Sequence, residues 1–504
     1  MLHVLPARHE LPLYDASASR GIEAQEAARW PAHTLMRRAG EAVARLAVAI
    51  APHARRVWIA AGPGNNGGDG LEAALHLHRL GRQVTVRLTG DATSLPADAA
   101  DALRRAVAAG VQFTASAPVE LDADDIAIDA LLGLGASRPP QGAIADSIRT
   151  LNALACPVLA VDLPSGLHPG TGTLLGDQAV IASHTLALLT LKPGLFTGVG
   201  RDHAATIWFD ALGTHPADHA AAHPPVAWLA SCESDPGRTH ARLHAQHKGS
   251  FGDVAVVGGA TGMTGAALLA ARAAHAAGAG RVFVQLLQPP AEAPGVDPIR
   301  PELMFRPGWA GGAPDVMGRS TVVCGCGGGD AIRKVLPRLL SLAGRLVIDA
   351  DALNAIACDA MLAGLLRARA GRGQGSVLTP HPLEAARLLG ATTSDVQADR
   401  LRAAQALADR FLSVVVLKGS GSIIAAPRWV ARINATGNAA LATGGTGDVL
   451  AGWIGGLWAQ ARPGHDPADV AARAVAEHGA AADPPMAGAL RAGDLIETLY
   501  RRTR

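Results

Sequence analysis

Short aliphatic runs recur along this chain, each closed by a turn rich in Gly or Pro and followed by a stretch that suits an amphipathic helix. In the first half they are 57–61 (VWIAA), 84–88 (VTVRL), 126–131 (IAIDAL), 158–163 (VLAVDL) and 185–189. A second series occupies 253–258, 282–287, 321–324, 346–350, 376–379 and 414–418. Strands alternating with helices predict doubly wound α/β sheets. A helical pattern from Asp15 to Ile50, broken near Trp30–Pro31, precedes the first series. Residues 213–247 interrupt the rhythm: they are rich in Ala, His and Pro and hold His215, His219, His223, His240, His244 and His247. Those histidines are irregularly spaced and form no cluster with Asp, Glu or Cys, which favours a linker over a metal site. A chain of 504 residues exceeds one ordinary core. The expected division is 1–214, a linker at 215–240, and 241–504.

Charge and cysteine usage exclude several classes. The formal net charge is +2, so no broad footprint for nucleic acid or an anionic membrane is expected. Cys156, Cys232, Cys324, Cys326 and Cys358 form no CxxC pair. Neither a disulfide framework nor a zinc site follows, and a reducing cytoplasm is the expected compartment. No apolar stretch is long and uncharged enough to span a bilayer, and residues 1–12 lack the apolar run of a signal peptide. Positive charge comes almost wholly as arginine, so Lys192, Lys248, Lys334 and Lys418 stand out.

In the first half, GPGNNGGDG (62–70) follows a strand and opens a helix, and Gly62, Gly64 and Gly67 satisfy GxGxxG. Glycines there let backbone amides approach a phosphate at a helix N-terminus, as in a dinucleotide dehydrogenase. Yet the next strand ends in Leu88 rather than an acid, and Asn65, Asn66 and Asp69 exceed what a phosphate cradle needs. Their oxygens suit a cation or a carbohydrate-like hydroxyl. Asp129 and Asp162 close two further strands, and Ser165 follows in LPSG. Such loops lie where doubly wound sheets bind ligands, although one strand-end Asp serves equally well as a cap.

In the second half, GGTGD (444–448) leads into a helix-compatible segment. Amides of such a turn form an anion hole, and the Asp448 carboxylate at its edge can take a proton from a hydroxyl attacking phosphorus. Asp448 could also simply cap the helix. Lys418-Gly419, after a buried strand, supplies a second phosphate-binding turn.

The ordered motifs GPGNNGGDG, DALLGLG (129–135), AVDLPSG (160–166) and LKPGLFTG (191–198) resemble the NAD(P)H-hydrate epimerases over roughly 10–212. From about Lys248 to Arg491, the chain resembles the ribokinase-like ADP/ATP-dependent NAD(P)H-hydrate dehydratases. The motifs are HKGSFGDVAVVGG (247–259), PELM (301–304), CGCGGGD (324–330), IDADALNAI (348–356), TPHPLEAARLLG (379–390), VVVLKGSGSIIAAP (414–427) and NATGNAALATGGTGDVLAG (434–452). The resemblance implies a Rossmann-like three-layer domain, then a ribokinase-like α/β domain. It implies epimerisation of the R and S forms of hydrated NADH or NADPH. It also implies dehydration of the S form at the expense of ADP or ATP.

By resemblance, K⁺ is held by Asn66, Asp129 and Ser165. The hydrate meets Asn65, Asn66, Gly67, Gly68, Asp69, Gly133, Leu134, Gly135, Ala136, Ser137, Arg138, Pro139 and the catalytic Asp162. In the second domain, Ala266, Gly325 or its neighbours, His381 and the base Asp448 face the hydrate. Lys418, Gly419, Ser420, Gly421, Ser422 and Gly447 contact the nucleotide. Mg²⁺ is expected with the nucleotide, Glu384 either capping its helix or helping place the ion. Lys192 is a phosphate or acid–base candidate. Cysteines around the glycines of 324–329 depart from the family pattern, leaving the contacting glycine open. A homo-oligomer is compatible with this, and the sequence does not choose between NADH and NADPH or between ADP and ATP. Two other readings compete: an unrelated dinucleotide-binding domain joined to a small-molecule kinase, and a non-catalytic first half that regulates the second.

Overall fold

The computed structural model describes residues 1–116, 121–231, 242–289, 291–462, 464–483 and 490–502. The chain forms two compact units, one of Met1–Pro6 and Leu11–Leu229, the other of Ala7–Glu10 and Ala230–Arg504.

The strands of the first unit are β1 (Leu2–His3), β2 (Leu11–Leu13), β3 (Arg56–Ala61), β4 (Gln83–Leu88), β5 (Gln112–Phe113), β6 (Ile126–Ala130), β7 (Val158–Val161), β8 (His184–Leu188), β9 (Thr206–Asp210) and β10 (Ala227–Leu229). Its main sheet runs β1-β9-β8-β7-β6-β3-β4-β5, parallel except where β1 meets β9. A strand's side chains alternate between faces, and β3 shows both faces covered. Val57, Ile59 and Ala61 join a core with Val43 and Leu46 of the helix Thr34–Ile50 and Leu71 and Leu77 of Asn65–Arg79. Trp58 and Ala60 enter a second core with Ile148 and Leu151 of the helix Gly142–Asn152. Three layers result, which is why these strands read as continuous apolar runs. The N-terminal helical pattern divides into Ala16–Ala27, capped by Asp15 accepting from the Ala18 amide at 2.7 Å, and Thr34–Ile50.

Residues 215–240, expected as a linker, contribute to the first unit up to Leu229. A short 3-10 turn spans Pro216–His219, and β10 pairs antiparallel with β2. His219 is buried, its Nε2 2.5 Å from Glu26. The part of that expectation covering 232–240 lies outside the described residues.

The second unit contains β11 (Asp253–Gly258), β12 (Arg281–Leu286), β13 (Met304–Phe305), β14 (Thr321–Cys324), β15 (Arg345–Ile348), β16 (Gly375–Leu378), β17 (Val414–Leu417), β18 (Ser422–Ala426) and β19 (Trp429–Asn434). Their order is β13-β12-β11-β14-β15-β16-β17-β18-β19. Pairing is parallel as far as β17, after which β17, β18 and β19 are antiparallel. In each sheet the order reverses beside its first long strand: β3 lies between β4 and β6, and β11 between β12 and β14. Loops leaving a reversal diverge and open a crevice at the carboxyl ends of the strands. No helix among the described residues is long and apolar enough to cross a membrane.

Helices Thr264–Ala276 and Thr446–Gln460 pack closely in the second unit. A Cβ at Gly452 would lie 2.0 Å from the Ala270 carbonyl oxygen, and one at Gly456 would lie 2.5 Å from that of Ala274. Backbone meets backbone, so a methyl group cannot be accommodated by turning a side chain. Gly452→Ala should destabilise the second unit by about 1–3 kcal/mol, the usual cost of overpacking, even though Ala is the better helix former. Thermal unfolding checks this; a raised midpoint for that unit would show that the helices separate freely.

Candidate active sites

A cavity of about 690 Å³ opens at the reversal point of the first sheet. Its wall includes Pro63, Gly64, Asn65, Asn66 and Asp69 from the β3 loop and Leu131–Ala136 from the β6 loop. Asp162, Leu188, Leu189 and Thr190 supply another side. Asn65, Asn66, Asp69, Gly133, Leu134, Gly135, Ala136 and Asp162 thus share one space. Gly67 and Gly68 lie behind it: a Cβ at Gly67 would meet the Gly62 carbonyl oxygen at 1.9 Å, and one at Gly68 the Met36 side chain at 2.5 Å. They hold the helix Asn65–Arg79 in place. Ser137, Arg138 and Pro139 are exposed and do not line the cavity.

Asn66 and Ser165 converge on the Leu132 backbone, and Asp129 joins them through Ser165. The Asn66 side-chain amide donates to the Leu132 carbonyl at 3.0 Å, and the Leu132 amide donates to Ser165 Oγ at 2.8 Å. Asp129 is fully buried and accepts from Ser165 N at 2.8 Å, Ser165 Oγ at 2.6 Å and Leu131 N at 3.2 Å. Burial nevertheless pushes its carboxyl up to about 6, against the pull of those Ser165 and Leu131 bonds. The dipoles do not fully replace lost water.

Asp162 has φ 66° and accepts from the Leu188 amide at 3.1 Å and from Lys192 Nζ. The Lys192 ammonium is buried and also donates to the Leu188 carbonyl at 3.0 Å. Lysine and acid thus hold one another in a charge-assisted couple at the cavity wall. Two further acids face Asp162 there. Asp69 is pushed well above the ordinary carboxyl range by burial and then by the charge of Asp162, and Glu23 is raised by the same two causes.

In the second unit the loops after β11, β14, β15 and β17 meet the N-terminus of the helix Thr446–Gln460. The Cys326 thiol and the carboxylates of Asp349 and Asp448 lie within 4.8 Å of one another. Lys418 Nζ is 2.7 Å from Asp349 Oδ1. It also sits 3.3 Å from where a Cβ on Gly447 would be, which brings the two expected phosphate turns together. Burial disfavours the Lys418 ammonium, but Asp349 and Glu384 outweigh it and raise its pKa. Burial and then the Asp349 charge push Asp448 up to about 6. Burial and then Asp448 raise the Cys326 thiol well above its ordinary range, so it remains an uncharged donor. His478, pushed down to about 4 mainly by burial, lies with Nε2 2.9 Å from the Thr446 carbonyl oxygen. It supports the turn as a neutral donor.

The remaining expected residues divide by depth. Gly419 and Ser420 are exposed, Ser422 is partly buried and donates to the Gly419 carbonyl at 3.2 Å, and Gly421 is buried. Ala266 is partly buried beside Gly327, whose added Cβ would lie 3.0 Å from it. Gly325 is buried, with the Asp349 carbonyl oxygen 2.0 Å from where its Cβ would be, whereas Gly327 and Gly329 are nearer the surface. His381 is half exposed and starts the helix Pro382–Leu389; burial and then Lys418 lower its pKa. Glu384 accepts from the His381 amide at 2.8 Å and is pushed up to about 7, first by burial. The structure therefore gives Glu384 its capping role. Sequence reading assigned no chemistry to Glu23, Trp30, His33 or Asp98 of the cavity, nor to Asp349. Asp349 directly follows β15 as Asp162 follows β7, and the same strand-end rule would have found it.

Comparisons agree with this two-part arrangement. The family model described as YjeF-related protein N-terminus matches residues 32–194, and the one described as NAD(P)H-hydrate dehydratase matches 254–501. A relative named bifunctional NAD(P)H-hydrate repair enzyme Nnr, from Escherichia coli (strain K12), is 36% identical over 488 residues, covering 93% of this chain and 89% of its own. A bifunctional NAD(P)H-hydrate repair enzyme from Leishmania major is 36% identical over 486 residues, covering 89% and 84% respectively. A crystal structure of ADP/ATP-dependent NAD(P)H-hydrate dehydratase from Bacillus subtilis, co-crystallized with ATP/Mg²⁺, shares 30% identity at a TM-score of 0.44, covering 52% of this chain and 92% of that one.

Proposed function

Because the chain belongs to the family of bifunctional NAD(P)H-hydrate repair enzymes, we propose that its two units act in turn on one damaged cofactor. The first interconverts the R and S epimers of hydrated NADH and NADPH in the cavity that carries Asp162. The second dehydrates the S epimer, consuming ADP or ATP and giving NAD(P)H, phosphate and AMP or ADP.

The placement of Asp448 carries this reading: a half-desolvated carboxylate, beside Lys418, at the mouth of a Gly-rich helix N-terminus. Asp448 takes the hydroxyl proton as that oxygen attacks the terminal phosphorus of the nucleotide. Lys418 and the amides around Gly447 offset the charge that gathers on the phosphoryl oxygens. The former hydroxyl oxygen departs within phosphate, a far better leaving group than hydroxide, and loss of a neighbouring proton restores the dihydropyridine. Asp349, whose carboxylate lies within 4.8 Å of that of Asp448, would meet a Mg²⁺ arriving with the nucleotide. The ion supplies charge neutralisation on the phosphates.

In the first unit, Asp162 is the acid–base group, with Lys192 holding its carboxyl in place. Asn66 through its amide oxygen, Asp129 and Ser165, with the Leu132 carbonyl, would offer K⁺ oxygen ligands once the Asn66 nitrogen turns from that carbonyl. A cation held there would relieve the Asp129 carboxyl, which burial raises. Cys156, Cys324, Cys326 and Cys358 are free thiols, which supports the cytoplasm as compartment.

Two measurements test the assignments. Epimerisation should fall in K⁺-free buffer and in Asp129→Ala; equal rates with K⁺ and with tetramethylammonium would remove the ion. Gly445 is the N-cap of the helix Thr446–Gln460 and Asp448 lies within its first turn, so Asp448→Asn keeps shape and loses only proton acceptance; dehydration should slow by about 10²–10⁴-fold while epimerisation and melting stay parental. A base with pKa about 6 is protonated in more acid solution, so dehydration by the parent should fall below that pH and level off above it. Parental dehydration by a folded Asp448→Asn chain would remove Asp448 as the base.

A further inference from the structure

Arg400 opens the helix Arg400–Phe411 and is 2% exposed, directly behind the turn Lys418–Ser422. Its guanidinium donates to the carbonyls of Leu417 at 3.3 Å, Lys418 at 3.2 Å and Gly421 at 3.5 Å, and to Gln397 Oε1 at 2.7 Å. Three of those acceptors flank the same short turn, on both sides of Gly419-Ser420. Gly419 has φ 133°, and a Cβ there would lie 3.0 Å from both terminal nitrogens of Arg400. The turn is therefore packed directly against the guanidinium, with little room for a side chain at Gly419.

A peptide's carbonyl and amide point in opposite directions. A turn whose carbonyls are gathered inward onto a cation presents less negative charge outward; the Lys418 amide already donates to the Pro380 carbonyl at 2.9 Å, so the N–H turned toward an anion is that of Gly419. A planar guanidinium can serve several acceptors at once, which an ammonium on a flexible stem does poorly. Burial lowers the pKa of Arg400 only to about 10, so it remains charged at neutral pH.

We propose that Arg400 is a positioning residue for nucleotide binding, shaping the Lys418–Ser422 turn by collecting its carbonyl oxygens from behind. It never touches the nucleotide. The proposal rests on the reading of that turn as a phosphate contact, and the test keeps the two apart.

Full-length Arg400→Gln, Arg400→Lys, Gln397→Ala and Lys418→Ala chains would be compared for ADP and ATP binding by calorimetry and for dehydration kinetics. Arg400→Gln should raise Kd and KM for both nucleotides by about tenfold or more, with KM for the hydrated dinucleotide and the epimerisation rate unchanged. Arg400→Lys should recover only part of that loss, because the charge returns without the fork. Gln397 is exposed and its removal spares the core, so Gln397→Ala should shift the same nucleotide parameters by about twofold and decides the matter if Arg400→Gln fails to fold. Parental nucleotide binding in Gln397→Ala and in folded Arg400→Gln, with binding lost in Lys418→Ala, overturns the role of Arg400 alone. Parental binding in Lys418→Ala as well overturns the phosphate-contact reading beneath it. Full recovery by lysine would also overturn the carbonyl-gathering role, since charge alone would then suffice.

Discussion

Covering a parallel sheet on both faces leaves little room for polar chemistry anywhere except its ends. In the first unit β3 spends its odd residues on one apolar core and its even residues on another, and β11 to β17 are similarly enclosed in the second. Within the sheets, charged groups survive best where strands stop and loop amides become available to satisfy them. Asp129 takes amide and hydroxyl hydrogens from Leu131 and Ser165, Asp162 takes the Leu188 amide, and Asp349 takes Lys418. The reversal in strand order then decides which ends have space above them. Fold and site are consequences of the same enclosure.

That enclosure is also why so much was legible in advance. Continuous apolar runs marked the strands to within a residue or two, and an Asp closing such a run pointed to Asp129 and Asp162. The hairpin β18–β19 was not foreseen, because its first strand follows the glycine turn so closely that it reads as part of the same motif. The pair β2 and β10 escaped for a different reason: three-residue strands far apart in sequence leave no periodicity. Motif resemblance carried Gly67, Gly68 and Ser137–Pro139 along with their neighbours, but a motif records spacing and not depth. Whether a glycine faces a ligand or packs against Gly62 depends on the loop's path, which spacing does not contain. Glu23 and Asp98 were missed because their importance comes from lying among the cavity acids, Glu23 with Asp162 and Asp98 with Asp69, on helices to which no chemistry was assigned.

The two sites solve one electrostatic problem with the same pieces. Each assembles several carboxyls under partial desolvation, so that some cannot ionise normally: Asp69 and Glu23 beside Asp162, and Glu384 and Asp448 around Asp349. Each sets one lysine against the central acid. In a chain that otherwise uses arginine, the lysines matter as compact point charges that fit between loops where a guanidinium would not. Arginine is used instead where a flat, multiply donating group is needed, as beneath the Lys418–Ser422 turn.

The contact between helices Thr264–Ala276 and Thr446–Gln460 has a mechanical consequence. Gly452 and Gly456 rest on the carbonyls of Ala270 and Ala274, so no intervening side chain is present to change rotamer and let the helices slide. One helix begins near Ala266 and the other near Asp448, which makes these two positions opposite jaws of a fixed gauge. Their separation is set by peptide thickness and is insensitive to what is bound. Whatever gives way when product departs must therefore belong to the other walls, the β14 and β17 loops, while this one keeps its calibration from one turnover to the next.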